Sequence, residues 1–130
     1  MGRFVIRTVP TGVKFDLYAP NGQSILSSEV YLTASACRKG LRSVQKNAPA
    51  ADTEDQTLEN SPLQGNPKFQ VYTDKSGAFR FRLRAKNGQI IAVSEPYTTK
   101  AGCLGGIDSV RENAMNAQVE EALFKAQSES

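Results

Sequence analysis

Residues 21–48, NGQSILSSEVYLTASACRKGLRSVQKNA, and residues 87–114, NGQIIAVSEPYTTKAGCLGGIDSVRENA, decide how this chain is read. They align without a gap over 28 positions and share 14 residues, where chance would leave about two. The chain therefore reads as a duplication. The match extends upstream, where Phe15-Asp16-Leu17-Tyr18-Ala19 answers Phe81-Arg82-Leu83-Arg84-Ala85. One gap at the preceding turn then sets Phe4-Val5-Ile6 opposite Phe69-Gln70-Val71.

Each copy predicts three strands and a helix. Phe69 and Val71 alternate with polar neighbours, and Phe81, Leu83 and Ala85 do so again, which is the period of a strand. Asn21-Gly22 and Asn87-Gly88 stand between apolar runs, as a type I′ hairpin turn requires. The third strands are Ile25-Leu26 and Ile90-Ile91-Ala92-Val93. Thr33 and Thr99 stand where a helix N-cap belongs. After them Cys37, Leu41, Val44 and Ala48, and again Cys103, Ile107, Val110 and Ala114, fall at steps of four, three and four. That spacing is one apolar helix face, expected to lie on the sheet. Gly40 and Gly106 interrupt the helices at matched positions, which suggests close approach to a strand or to the other helix.

The expected fold is α+β: two tandem β-β-β-α repeats, residues 1–48 and 68–114, assembled as a pseudo-two-fold pair with an antiparallel sheet and helices packed on it. One such unit alone buries too little apolar surface to be stable, so the copies are expected to share a core in one compact domain. Residues 49–67, with four acids, three prolines and no base before the second copy, read as an acidic flexible linker. In residues 115–130 Met115, Val119, Ala122, Leu123 and Ala126 have helical spacing, which predicts a helical extension before a frayed end at Gln127–Ser130.

Composition narrows the function classes. The 130 residues carry 39% hydrophobic and 22% charged side chains, enough for a real core. No apolar run approaches a membrane span and the first residues lack a signal-peptide pattern, so a cytoplasmic protein is expected. There is no histidine, which removes the commonest general base and metal ligand. Cys37 and Cys103 hold equivalent positions on the two helix stripes and read as buried free thiols. No catalytic residue, cofactor site or metal site is identified, and an enzyme is not expected.

With these residues assembled, the chain resembles the YegP-like family of small bacterial proteins. The resemblance rests on the pattern F-x-V-Y…G-x-F-R-F-R-L-x-A-x-N-G-x-I-I-x-x-S-E-x-Y-x-x-K-A…G-I-x-S-V-x-x-N-A, which Phe69–Ala114 follow almost throughout. Met1–Ala48 follow it with departures: Val5-Ile6-Arg7 stands for the V-Y segment, and Asp16 and Tyr18 replace basic positions. The resemblance covers neither residues 49–67 nor 115–130. It implies two β-β-β-α modules around one sheet system, and no catalytic residue or cofactor.

Two surface features are candidates for binding. Arg80, Arg82, Arg84 and Lys86 alternate with Phe81, Leu83 and Ala85, so they are expected on the sheet face away from the core, first as a solvated strand face or guarded edge and in the alternative as a contact for anions or nucleic acid. The first copy has Lys14, Asp16, Tyr18 and Pro20 there, so the row is not shared. Ser28-Glu29-x-Tyr31 and Ser94-Glu95-x-Tyr97 form a possible repeated polar site, or else local backbone caps. Residues 1–48 carry net +5 and residues 68–114 net +4, against −4 in the linker and −2 in the tail. An acidic linker folding over the basic modules would screen them. The leading expectation is a non-enzymatic interaction or structural module with an unknown protein partner, a monomer because it is already an intramolecular pair. A nucleic-acid binder is the alternative, and a small-molecule binder at the junction of the repeats is the third.

Overall fold

The computed structural model describes residues 2–122. Eight strands form a single sheet: β1 (Arg3–Val9), β2 (Gly12–Tyr18), β3 (Ser24–Ser28), β4 (Asp52–Asp55), β5 (Lys68–Thr73), β6 (Phe79–Arg84), β7 (Ile90–Val93) and β8 (Gln118–Ala122). Helix α1 (Ala34–Asn47) follows β3, and helix α2 (Lys100–Asn113) follows β7. The strand order is β4-β5-β6-β7-β3-β2-β1-β8. The two edge pairs, β4 on β5 and β8 on β1, are parallel, and all other neighbours are antiparallel.

Both helices lie on one face. Helix α1 packs on β1 and β2 and reaches β7, while α2 packs on β5 and β6 and reaches β3. Each helix therefore straddles the β3–β7 seam, and one apolar cluster serves the whole chain. Phe4, Ile6, Phe15 and Leu17 in one half, and Phe69, Val71, Phe81 and Leu83 in the other, are buried with the stripes Cys37, Leu41, Val44, Ala48 and Cys103, Ile107, Val110, Ala114. Thr33 accepts from the Ala36 N–H and Thr99 from the Gly102 N–H, both at 3.0 Å, so the expected N-caps are formed.

Several expectations need correction. Each half has a fourth strand after its helix, so β-β-β-α is too short a unit. Residues 49–67 contain β4, and the supposed C-terminal helix is replaced over Gln118–Ala122 by strand β8. Backbone pairing outranks the weak helical spacing there, because β1 and β5 would otherwise leave a row of N–H and C=O groups unpaired. The rest of the helical expectation, and the frayed Gln127–Ser130, lie outside the described residues. The Asn-Gly turns are not type I′: Gly22 and Gly88 have φ of 86° and 87°, while no non-glycine residue among those described has positive φ. Gly22 N–H instead bonds Ala19 C=O and Ala19 N–H bonds Gln23 C=O, with the same bonds at Ala85, Gly88 and Gln89. This is a three-residue loop, in which only the last position needs glycine.

The helix glycines have a specific reason. A Cβ on Gly40 would overlap the Tyr31 hydroxyl, and one on Gly106 would overlap the Tyr97 hydroxyl and come within 3.0 Å of the Phe81 ring. Neither ring can swing away freely, since Tyr31 stacks on Phe15 and Tyr97 on Phe81. Gly105, one residue earlier in α2, faces open space. Gly106→Ala is expected to lose about 1–3 kcal/mol despite the better helix former. Gly105→Ala should gain up to about 1 kcal/mol. Urea denaturation of the two variants checks this, and a stabilised Gly106→Ala would contradict the assigned contact.

Candidate functional site

The helices cover one face of the sheet, and among the described residues no helix lies on the other, the open face. Cross-strand partners share a face, so the pairing traces one row across all eight strands of the open face. It runs Glu54, Gln70, Arg82, Val93, Ser27, Asp16, Val5 and Glu120. Polar side chains meet at both ends of this row, and they do so differently.

In the second half the anchor is Glu54, a carboxylate only 2% exposed. Its Oε1 accepts from Lys68 Nζ at 2.8 Å and from the Gln64 N–H at 3.0 Å. Its Oε2 accepts from Gln70 Nε2 at 2.7 Å and Gln56 Nε2 at 3.1 Å. Burial pushes this carboxyl up, but the bonds from Lys68, Gln64 and Gln70 and the charge of Lys68 outweigh it and hold the group at about 2. With their NH2 groups committed to Glu54, both glutamines must aim their carbonyls away from it. Gln70 Oε1 accepts from Arg82 Nε at 2.8 Å and Arg84 Nε at 2.6 Å, and Gln56 Oε1 accepts from Arg82 Nη2 at 3.1 Å. Arg82 also lies over the Tyr72 ring at 4.4 Å, and Arg84 Nη1 donates to Gly88 C=O at 2.7 Å.

The basic row is thus on the predicted face, but its members differ. Arg80 is neutralised by Asp74, with Nε to Oδ2 at 2.9 Å, and also donates to Ser94 C=O. The Asp74 carboxyl is held far below its usual range by the Ser76 hydroxyl and by Arg80, against burial, with help from backbone N–H groups. Arg82 and Arg84 bond no carboxylate among the described residues. Lys86 leaves the row, because β6 ends at Arg84 and Lys86 sits exposed in the turn. In the first half the place of Arg82 is taken by Asp16, 4% exposed, which accepts from Arg7 at 2.7 Å and from the Ser27 hydroxyl at 2.7 Å.

The acidic linker does meet basic groups, as a strand rather than a flexible cover. Besides Glu54 with Lys68, Asp55 pairs with Lys100 at 2.9 Å, and Arg111 Nη2 donates to Ala51 C=O and Thr53 Oγ1. None of these partners was legible from sequence, since the contacts join segments far apart in the chain. The one available signal was the parity of Gln70, which alternation places on the same face as Arg82.

In the Ser-Glu-x-Tyr segments the serines are turned to the backbone. Ser28 Oγ accepts from Phe15 N–H at 2.9 Å and donates to Glu29 C=O, and Ser94 Oγ does the same for Phe81 N–H and Glu95 C=O. The serines, not the glutamates, satisfy backbone donors; Glu29 and Glu95 are exposed. Tyr31 and Tyr97 are packing groups for the helix glycines. At the junction of the halves Glu29 and Tyr31 line an open cleft of about 460 Å³ with Arg84, Gly88, Gln89 and Ile90. A second, of about 480 Å³, has Gln23, Ser24 and Ile25 facing Glu95, Pro96, Tyr97 and Thr98. Both cysteines are free and buried, and burial pushes their thiols up to about 11, away from any nucleophilic range.

A cationic stripe on α1 escaped the sequence reading. Arg38, Lys39, Arg42 and Lys46 lie on its outer side, whereas the matching positions of α2 are Leu104, Gly105, Asp108 and Glu112. Their spacing of three and four was the available signal. Arg38 is engaged by Glu121 of β8, at 2.6 Å and 2.7 Å.

Comparison with known proteins places this geometry. Residues 12–55 and 74–121 each match the domain of unknown function DUF1508. Both matches include the fourth strand. A UPF0339 protein of Treponema denticola is 63% identical over 54 residues, covering 42% of this chain and 93% of that protein. A UPF0339 protein of the archaeon Methanosarcina acetivorans is 62% identical over 52 residues, 40% of this chain and 90% of its own length, so the relatives are not confined to bacteria. The solution structure of the E. coli protein of unknown function yegP superposes with a TM-score of 0.78 at 30% identity, covering 95% of each chain.

Proposed function

This chain belongs to the DUF1508 family, and from that premise we propose a non-enzymatic interaction module that binds an anionic partner through the uncovered face of its sheet. The observation that carries this reading is the pair Arg82 and Arg84, held on the open face by neutral Gln70 with no carboxylate bonded to either. A merely solvated face would be expected to treat its five arginines alike. Here Arg3, Arg7 and Arg80 each have an acidic partner, and Arg82 and Arg84 do not.

The absence of catalysis is supported by what the reactive groups already do. The thiols are buried, Glu54 is saturated by four donors, and the Ser28 and Ser94 hydroxyls are bound to backbone. The two family matches, and a relative 93% of whose length aligns with only 54 residues of this chain, support tandem repeats. In this reading a pseudo-two-fold axis passes through the β3–β7 pair, where Ser27 meets its own counterpart Val93. Such a chain completes its sheet as a monomer. No described helix is long and apolar enough to cross a membrane, and two free thiols fit a reducing cytoplasm.

Nucleic acid is the favoured anionic partner, because the open face also presents two aromatic–guanidinium stacks, Arg82 on Tyr72 and Arg3 on Tyr18. Bases stack on both kinds of group. The test is fluorescence anisotropy with labelled single-stranded and duplex oligonucleotides at low and moderate salt, with amide shift mapping of the contact. Binding that weakens steeply with salt and perturbs β5, β6 and β7 is expected. Perturbation confined to the α1 stripe, or no binding at low salt, would overturn the assignment of the working face.

A further inference from the structure

We propose that Arg82 and Arg84 form a binding site for a phosphate group; this rests on the reading of the open sheet face as the binding surface. The two side chains donate their Nε–H groups to a single carbonyl oxygen, Gln70 Oε1, at 2.8 Å and 2.6 Å. The guanidiniums therefore stand side by side. Their local network sets three cations, Lys68, Arg82 and Arg84, against one carboxylate, Glu54. Glu54 is spent on Lys68, Gln64, Gln70 and Gln56, so it cannot turn toward either arginine.

Each guanidinium has five donors in a planar fork. Arg82 uses Nε and Nη2, and Arg84 uses Nε and Nη1. Arg82 Nη1 and Arg84 Nη2 have no acceptor among the described residues. Both forks are immobilised before any ligand arrives: Gln70 is oriented by Glu54, Arg82 rests on Tyr72, and Arg84 is tied to the Gly88 carbonyl of the β6–β7 turn. Two adjacent forks with spare donors and no neutralising carboxylate suit a ligand with several acceptor oxygens and more than one negative charge, which is the chemistry of phosphate. Arg84 also lines the open junction cleft of about 460 Å³, whose one carboxylate, the exposed Glu29, bonds neither arginine, and the cleft leaves room for the group beside Arg84. The other half does not repeat the site, because Asp16 occupies the place of Arg82 and Tyr18 that of Arg84. One phosphate site per chain is the consequence.

Free phosphate and the backbone of a nucleic-acid strand share this chemistry, and the test separates them. The full chain is titrated with inorganic pyrophosphate and, separately, with an oligo-dT strand, while the arginine Nε–H and backbone amide resonances are followed. Shifts at Arg82, Arg84 and Gln70 in either arm are expected. Tighter binding of the strand names nucleic acid as the source, and equal or tighter binding of pyrophosphate names a free phosphate compound; both support the site. Arg82→Gln with Arg84→Gln should weaken binding roughly tenfold or more and lower the salt slope by about one to two. Arg82→Lys with Arg84→Lys keeps the charge but loses the forks, and should recover only part of the affinity; it also guards against a folding defect in the glutamine variant. If probes bind the open face but shift only first-half residues such as Arg7 and Lys14, or if both double variants bind like the parent chain, the phosphate site is wrong while the working face stands. Silence of every probe over the whole face overturns both.

Discussion

Glu54→Gln is expected to cost about 3–5 kcal/mol of stability, among the largest losses of any single polar substitution in this chain. The carboxylate is 2% exposed and receives four hydrogen bonds, one of them from Lys68. A glutamine keeps the shape but turns one acceptor oxygen into a donor that faces other donors, and it leaves the Lys68 ammonium, 15% exposed, without its counter-charge. The effect should carry a pH signature. The folded carboxyl lies at about 2, below its ordinary 4.5. A depressed acid stabilises the fold fully above the unfolded value, and that contribution fades as pH falls from about 4.5 toward 2, amounting to about 3 kcal/mol. Asp55 and Asp74 are also held below their usual range and add to the same acid slope. Urea denaturation from pH 7 to pH 2.5 should therefore show the parent chain losing stability steeply below pH 4.5. The variant should start lower and lose less. Equal acid slopes would show that Glu54 is not ionised in the fold in the way described.

Phe81→Ala is expected to cost about 3–5 kcal/mol by opening a cavity that the sheet cannot close. Phe81 is fully buried on β6. It meets Phe69 edge-on at 5.8 Å, stacks on Tyr97 at 6.3 Å and abuts Gly106. Loss of the ring removes the backing of Tyr97, which in turn props helix α2 at its glycine. Domains of this kind are stable by only about 5–15 kcal/mol, so the variant should melt on the order of 10 °C lower. Phe15→Ala removes the matching ring, which meets Phe4 at 5.7 Å and Tyr31 at 6.5 Å, and should cost a similar amount. Thermal melts with urea midpoints check both, and a loss below about 1 kcal/mol at either position would show that the core there can collapse.

Much of the fold was legible because its signals are local. Strands β5 and β6 show alternation, β1 and β2 answer them in the first copy, β3 and β7 are short apolar runs after an Asn-Gly turn, the helices show a four-three-four apolar step, and threonine caps mark their starts. The edge strands β4 and β8 were not legible. The segments DTED and QVEEA carry no alternation of apolar and polar residues, because an edge strand outside the helix-covered core need not have one. Val119 and Ala122 even continue a helical spacing from Met115, which misled the reading of the C-terminal stretch.

The basic row of β6 shows the same division at the level of single side chains. Alternation alone placed Arg80, Arg82 and Arg84 away from Phe81 and Leu83, and comparison of the two halves alone showed that the row is one-sided. Whether each arginine is neutralised was decided by residues the chain brings in from elsewhere. Asp74 reaches Arg80 across a turn, while Glu54, from a segment that reads as linker, reaches Gln70 and leaves Arg82 and Arg84 facing a neutral carbonyl. The parity of a strand is a property of the backbone and is written in consecutive residues. The charge state of a surface depends on which distant strands become neighbours, and only the assembled sheet supplies that.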